Sequence, residues 1–527
     1  MRIRTSKAVA AAAALLFLGT AACTDLVVEP KSTVTEANIF NDPSSYRAFL
    51  AKVYTGLTVT GQRGAAGQPD LDPSFDEGFS SYLRLYWEAQ ELPTDEAVIG
   101  WNDTGIEELN TQLWGVTNGF LNIMYYRIFF QIGMANEFLR QTTDAKLASR
   151  GHTSPALQAE VATYRAEARF LRALSYWHGL DLYGNIPLVT DADVLGATPP
   201  QQASRAELFD FVVNELNEIQ GELPAVSAAN YGRATGPAAS MLLAKLYLNA
   251  GVYTGTTKYA EALAAAQAII GNSAYSLDNN YQDIFLADNN TSPEIIFSVP
   301  QDGLKTQTWG GMTFLVHAAC GNQMNPADYG IDGCWWGLRL KPEAYNRYTT
   351  GDKRDDFFFT TGQTVAVTAI GDFTKGIPAP KYRNITSTGA QGSHPTFPDT
   401  DYPMFRLADA YLIYAEAHLR GGGGSATQAL TYVNALRQRA WGNANGNITA
   451  GQLTLDFILD ERGRELLWEA NRRTDLVRYG RYTGGTYLWA WKGGVQAGTG
   501  TPDHLNLYPL PGNELIANPN LTQNPGY

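Results

Sequence analysis

Asp460-Glu461-Arg462-Gly463-Arg464-Glu465-Leu466-Leu467-Trp468-Glu469-Ala470-Asn471-Arg472-Arg473-Thr474-Asp475-Leu476-Val477-Arg478 carries ten charged residues in nineteen, in a chain that is 17% charged. Residues three or four apart on a helix are neighbours, so the spacing predicts pairs of Glu461 with Arg464, Glu469 with Arg472 or Arg473, and Asp475 with Arg472 or Arg478. Leu459, Gly463, Leu466, Leu467, Ala470 and Val477 share a stripe that can face a core. The expectation is one helix, packed on one side and ion-paired on the other. A general acid needs a carboxyl raised by burial or by a second carboxylate, whereas these acids sit among arginines that keep them ionised. A structural ion-pair network is favoured over acid–base chemistry.

Outward from this stretch, helical spacing dominates. Tyr46, Phe49, Leu50, Val53 and Leu57 recur at helical intervals. A second aromatic helix is expected over 75–91, and a long helix or a broken pair over 107–139. Residues 160–183 give the clearest pattern, with Phe170, Leu171, Leu174 and Trp177 facing a core, Arg165, Arg169 and Arg172 facing outward, and Gly184 with Pro187 as the stop. Arg233-Ala234-Thr235-Gly236-Pro237 opens another helix, capped at Thr235 or Gly236 with proline in its first turn. Ala244 and Tyr247, then Tyr259, Ala262 and Ala266, resemble the tetratricopeptide pattern of small residues set against large ones. The same plan returns with Leu412 and Ala415, the glycines 421–424, then Ala429, Val433 and Leu436. Between these, 275–403 shows little helical spacing. Glu294 to Pro300 predicts a short strand, and Gly, Pro, Asn and Thr punctuate the rest. The fold class expected is mainly α: a tetratricopeptide-like scaffold of helix pairs carrying a loop-rich, partly β insertion where ligands would bind.

Composition narrows the function. The chain has 527 residues and a formal charge of −13, with no basic patch of the kind phosphate binding requires, so nucleic acid is not an expected partner. Arg2, Arg4 and Lys7 precede an apolar run from Ala8 to Leu18 and small residues up to Cys23, the form of a secretory signal rather than a spanning helix. Leu18-Gly19-Thr20-Ala21-Ala22-Cys23 resembles a bacterial lipobox, with Thr20 where the best patterns carry a branched apolar residue. Acylation of Cys23, with palmitate among its chains, would anchor the mature protein, the other outcome being ordinary cleavage that leaves a spare thiol. Removal of residues 1–22 takes the charge to about −16. Cys320 and Cys334, fourteen apart in an exported chain, are expected to form a disulfide worth roughly 3 kcal/mol. A metal or redox pair is the alternative, without nearby His to support it.

Several landmarks occur in a familiar order: Thr94-Asp95-Glu96-Ala97 with Trp101; Ala135-Asn136; Ala168-Arg169-Phe170-Leu171-Arg172-Ala173; Tyr183-Gly184-Asn185-Ile186-Pro187-Leu188; Arg406-Leu407-Ala408-Asp409 to Ala417. They are followed by Glu461-Arg462, Arg464-Glu465-Leu466, Glu469, Arg472 and Asp475-Leu476, then Leu507-Tyr508-Pro509-Leu510-Pro511 and Asn524-Pro525-Gly526-Tyr527. Together they resemble the SusD/RagB family over essentially all of the mature chain. That resemblance implies a non-catalytic outer-membrane lipoprotein, lipid-anchored and surface-exposed, that binds an oligosaccharide or other nutrient and delivers it to a SusC-like TonB-dependent transporter. It also divides the chain into a signal peptide (1–22), a lipidated tether (23–32), an N-terminal SusD-like helical region (33–274), a loop-rich insertion (275–403) and a C-terminal RagB/SusD helical region (404–527), one compact unit overall. No cofactor is implied.

A neutral sugar presents hydroxyls at its edges and C–H faces above and below, so its binder needs flat rings and a few polar partners. Trp101, with Asn102 and Asp103, lies in the loop where similar proteins carry a sugar-stacking residue. Trp309 is flanked by Gly310 and Gly311, and Trp335 and Trp336 follow Cys334, so a disulfide there would hold both rings. Core packing is the competing explanation for each of these rings, and the expected one for Trp114, Trp177 and Trp468. The six His show no metal-ligand spacing, and no nucleophile elbow or phosphate loop occurs. Asp352 to Asp356 is expected to be a solvated turn rather than a Ca²⁺ site. The competing functions are the same scaffold binding peptides, or a secreted glycoside hydrolase using a carboxyl pair such as Asp95 and Asp103.

Overall fold

The Pro155–Leu182 helix starts with proline in its first turn and ends before Gly184, whose φ of +75° suits the left-handed stop. The computed structural model describes residues 39–527, apart from 62–64, 66–68, 72–74, 194–195 and 197. The signal segment, the tether and Cys23 lie outside the described residues. Along Pro155–Leu182 the expected outward arginines turn inward instead. Arg169 and Arg172 reach Glu215 on the Arg205–Ile219 helix at 2.7 and 2.6 Å, and Arg172 is buried. The facing helix supplies the carboxylate, so the charged stripe becomes an interhelical seam. A capping box of Ser204 and Glu207 fixes where that helix begins.

Successive helices pack on one another: Gly119–Gln141 on Pro155–Leu182, this on Arg205–Ile219, then Gly236–Leu248 on Tyr259–Ile270. Tyr259–Ile270 packs next on Leu407–Leu419, which pairs with Ala426–Trp441. The repeat therefore runs on across a long excursion of chain. Small faces permit the close approach: Ala262, Ala266, Ala408 and Ala415 are fully buried. Strand Ile295–Val299 runs antiparallel to Tyr402–Arg406, with Val299 opposite Tyr402, and zips together the two ends of the excursion. Strand Ala97–Ile99 pairs with Leu338–Leu340, Ile99 opposite Leu338, and ties an N-terminal loop to the middle of the excursion. Residues 46–527 form one compact unit.

The 460–478 stretch is not one helix. Leu455–Glu465 and Arg472–Arg478 are separate helices, and between them Trp468 and Ala470 adopt φ of +59° and +54°. The Trp468 carbonyl accepts from Trp87 Nε1 at 2.9 Å and from the Tyr382 hydroxyl at 3.0 Å. Apart from Asp460, which is exposed, the charged side chains are buried rather than outward. Of the expected local pairs, Glu461–Arg464 and Asp475–Arg478 form, at 2.8 and 2.7 Å. Glu469 instead meets Lys381 and Arg406, both at 2.6 Å; Arg472 meets Asp95 at 2.8 Å, and Arg473 meets Asp181 at 3.0 Å. Glu465 takes Arg354, Arg406 and Arg439. A local helical pair is worth about 0.3–0.5 kcal/mol, while an unpaired buried charge costs several, so distant partners decide the backbone path.

Candidate functional site

The Ala97–Ile99 and Leu338–Leu340 ladder sets the geometry of the aromatic loops. Just past it, the Gly100 amide donates to the Gly337 carbonyl at 3.0 Å, which brings Trp101 beside the 335–337 segment. Trp101 Nε1 donates to the Trp335 carbonyl at 2.9 Å. Gly337 has no room for a side chain: a Cβ there would lie 2.8 Å from the Trp101 ring.

Residues 335–337 are laid over the end of the Gly311–Ala318 helix. The amides of Trp335, Trp336 and Gly337 donate to the carbonyls of His317, Cys320 and Ala318 at 3.0, 2.9 and 2.9 Å. Cys320 and Cys334 are joined as a disulfide at the head of this segment. Trp336 has φ of +56°, a conformation that costs a non-glycine residue about 1 kcal/mol and here turns the ring outward.

Trp309, Trp335 and Trp101 form a row. Ring centroids are 6.1 Å apart from Trp309 to Trp335 and 6.4 Å from Trp335 to Trp101, with tilts of 45° and 47°. Trp309 is 40% exposed, while Trp335 and Trp101 are half-buried. Glu77 holds Trp309 from behind, accepting from its amide at 2.9 Å and from the Thr308 hydroxyl at 2.7 Å. Phe397 backs Trp309 at 5.2 Å, and Phe314 meets Trp101 edge-on at 5.7 Å. Beneath them the buried Arg84 guanidinium stands 4.2 Å from the Phe314 centroid and 5.4 Å from that of Trp101, paired with Glu88 at 2.8 Å. Burial pushes the Glu88 carboxyl up; Arg84 pulls it back, and Asp103 adds to the rise.

The six expected site residues thus divide. Trp101, Trp309 and Trp335 come together; Trp336 is 50% exposed but packs on Phe373 at 5.6 Å instead of joining the row. Asn102 is exposed and Asp103 half-buried, next to Trp101 in the chain. Arg84, Phe314, Phe397 and Glu77 support the row and carry no local motif; only the fold brings them there. Trp114, Trp177 and Trp468 are core residues, 4%, 4% and 0% exposed.

The alternatives fare differently. Asp95 is fully buried and receives Arg347, Arg472 and the Tyr487 hydroxyl. Burial opposes its charge, but the two guanidiniums win and hold its carboxyl far below the usual range. It can neither reach a glycosidic bond nor carry a proton to one, so the Asp95–Asp103 pair is ruled out as acid–base machinery. Asp352, in the turn expected to be solvated, is instead buried, because Arg354 engages it at 2.6 Å. Among the described residues no group of three or more His, Cys, Asp or Glu is arranged to hold a metal ion. A cleft of about 450 Å³ lies among Tyr231, Gln301, Asp302, Ser393 and Asp399. Its Asp399 is occupied by the Ser393 and Gly303 amides, at 2.6 and 2.7 Å.

A sequence profile of the SusD family matches residues 358–527. The starch-binding protein SusD of Bacteroides thetaiotaomicron is 36% identical, over 98% of both chains. A SusD-like protein of Bacteroides ovatus is 27% identical, over 90% of this chain and 82% of its own. Among solved structures, the surface glycan-binding protein A of B. thetaiotaomicron, in complex with laminarihexaose, superposes with a TM-score of 0.68 at 21% identity, covering 91% of this chain and 99% of its own. The corresponding protein of Bacteroides fluxus gives 0.70 at 22%, over 92% and 99%. At these identities the structural likeness shows the fold.

Proposed function

Because the chain belongs to the SusD family, we propose that it is a lipid-anchored outer-membrane protein that captures a neutral glucan on the Trp309–Trp335–Trp101 row and passes it, uncut, to a SusC-like TonB-dependent transporter. The observation that carries this is the row itself: three indoles about 6 Å apart on the surface side of a rigid support. Successive sugar units lay their C–H faces on successive rings, and stacking with burial supplies the affinity. Asn102 and Asp103 stand beside Trp101 to accept from and donate to ring hydroxyls, as their chemistry allows. Trp336, on its own outward turn, offers a further face. The row is built before the ligand arrives, which limits the ordering cost.

Glucans are the class to test first, since relatives are described as binding starch and laminarihexaose. Cys23, the anchor and the transporter rest on the family resemblance of the leader and the whole chain. The deciding experiment titrates the protein with soluble starch, laminarihexaose and a mixed peptide library, then separates the products after long incubation. Saturable glucan binding with no shortened chains is expected. Shortened chains, or saturation by peptides alone, would overturn the proposal.

A further inference from the structure

Under the middle ring of the row lies a side chain that ligand cannot reach. His317, in the last turn of Gly311–Ala318, is fully buried, and its imidazole stacks on Trp335 with centroids 4.6 Å apart and planes 26° from parallel. Its Nδ1 sits 2.7 Å from the Gly333 carbonyl oxygen and its Nε2 sits 2.8 Å from the Thr396 carbonyl oxygen. A carbonyl only accepts, and a neutral imidazole has a single N–H. In the neutral ring one nitrogen lone pair therefore faces a carbonyl lone pair at contact distance. Only the imidazolium donates to both.

The two carbonyls belong to the two segments that support the row. Gly333 leads into disulfide-bonded Cys334, Trp335 and Trp336, while Thr396 leads into Phe397, which backs Trp309. We infer that His317 is a positioning residue for the aromatic row: its protonation clamps the 333–336 and 396–397 segments together beneath Trp335 and makes the binding surface responsive to pH. The clamp is independent of what binds, but its effect on affinity rests on the glucan proposal.

The charges around it are few. His317 is the one titratable group of its own helix. From the 332–337 segment comes Asp332, which accepts from the Thr396 hydroxyl. From the 393–399 loop come Asp399, occupied as described, and His394, whose Nδ1 accepts from the Thr396 and Phe397 amides at 3.0 and 3.2 Å. From the Tyr82–Glu91 helix come Arg84 and Glu88, paired with each other. Burial lowers His317 below its ordinary value, while the two carbonyls and Asp332 pull it back up. The clamp is therefore made on the acid side of about pH 6.5.

An imidazolium stacked on indole quenches its fluorescence, so Trp335 reports on the clamp directly. Emission is followed from about pH 8 to about pH 5 in the wild type, His317→Gln and Trp335→Phe, with far-ultraviolet dichroism confirming the fold at each point. Soluble starch affinity is measured at both ends of the range. The wild type should lose emission below about pH 6.5 and bind starch about threefold tighter in acid. Both variants should lack that quench, and His317→Gln should bind starch with no pH dependence. An equal quench in His317→Gln, or wild-type affinity unchanged between the two ends, overturns the inference. If His317→Gln does not fold, His317→Asn takes its place, and a wild-type quench that survives in Trp335→Phe overturns the inference on its own. A normal quench with no binding of starch or laminarihexaose leaves the clamp standing and removes the glucan proposal.

Discussion

Trp101 and Trp335, 234 residues apart in the chain, are locked by one hydrogen bond from the Trp101 indole N–H to the Trp335 main-chain carbonyl at 2.9 Å. The bond uses the polar edge of Trp101 and leaves its ring as a wall. Among the described residues Trp309 has no such tie on its ring, and it is the most exposed of the three. Energy of binding should follow exposure, and rigidity should follow the bond.

Replacing Trp309 by Ala removes the most open face of the row while Glu77 still holds the loop. Starch affinity is expected to fall about 30-fold, equivalent to roughly 2 kcal/mol, with the melting temperature little changed. Isothermal titration beside a melting curve checks this; affinity within twofold of wild type would remove Trp309 from the site.

Gly337→Ala tests the seat of Trp101. The added methyl would sit 2.8 Å from the ring, below any ordinary contact, and its neighbour is a packed indole rather than a flexible chain end. Binding should weaken at least tenfold, with a loss of stability on the order of 1–3 kcal/mol. Titration with starch and urea denaturation measure the two effects separately.

Asp95→Asn should destabilise by about 3 kcal/mol in urea denaturation, because the buried Arg347 and Arg472 lose one of the two carboxylates they share and keep only Glu96, at 2.9 and 3.5 Å. The fraction that folds should bind starch as the wild type does. Loss of binding without loss of stability would contradict the structural role given to Asp95.

Acid should unfold the protein through its buried network. Burial alone would raise the Glu465 carboxyl, but Arg439, Arg406 and Arg354 outweigh it and hold the group at about 2; Arg478 and Arg420 do the same for Glu416, also at about 2. A carboxyl lowered on folding contributes stability that is fully present above its unfolded value, near 4.3, and is lost as pH falls through the folded one. Each contributes about 3 kcal/mol at neutral pH; that share is constant above about pH 5 and is lost from there toward pH 2, so urea midpoints should drop steeply over that interval. Glu465→Gln should be less stable at pH 7 and show a shallower drop.

Helix pairs were legible in the chain because each rests on local rules: small-against-large spacing, caps, glycine stops and near-neighbour order. The 460–478 stretch shows where such rules stop. Its i, i+3 and i, i+4 spacings predict a single outward-charged helix, yet Glu469 answers to Lys381 and Arg406, and Arg472 to Asp95. A helical pair competes weakly with a buried charge, and nothing in a linear spacing records which distant arginine will be near.

The site divides the same way. Trp101, Trp309 and Trp335 stand out by residue type and loop context alone, since an indole beside glycines or amides is a recognisable surface ring. That these three form a row while Trp336 turns to Phe373 follows from the Ala97–Ile99 ladder, the Gly337 contact and the left-handed backbone at Trp336. The sequence by itself determined the paired helices of the scaffold and singled out four loop tryptophans as candidate rings, with core packing the alternative for each. Tertiary structure decided their spacing, their backing by Arg84, Phe314 and Phe397, and the sealing of Asp95, because each depends on contacts between segments hundreds of residues apart that only burial and charge pairing bring into register.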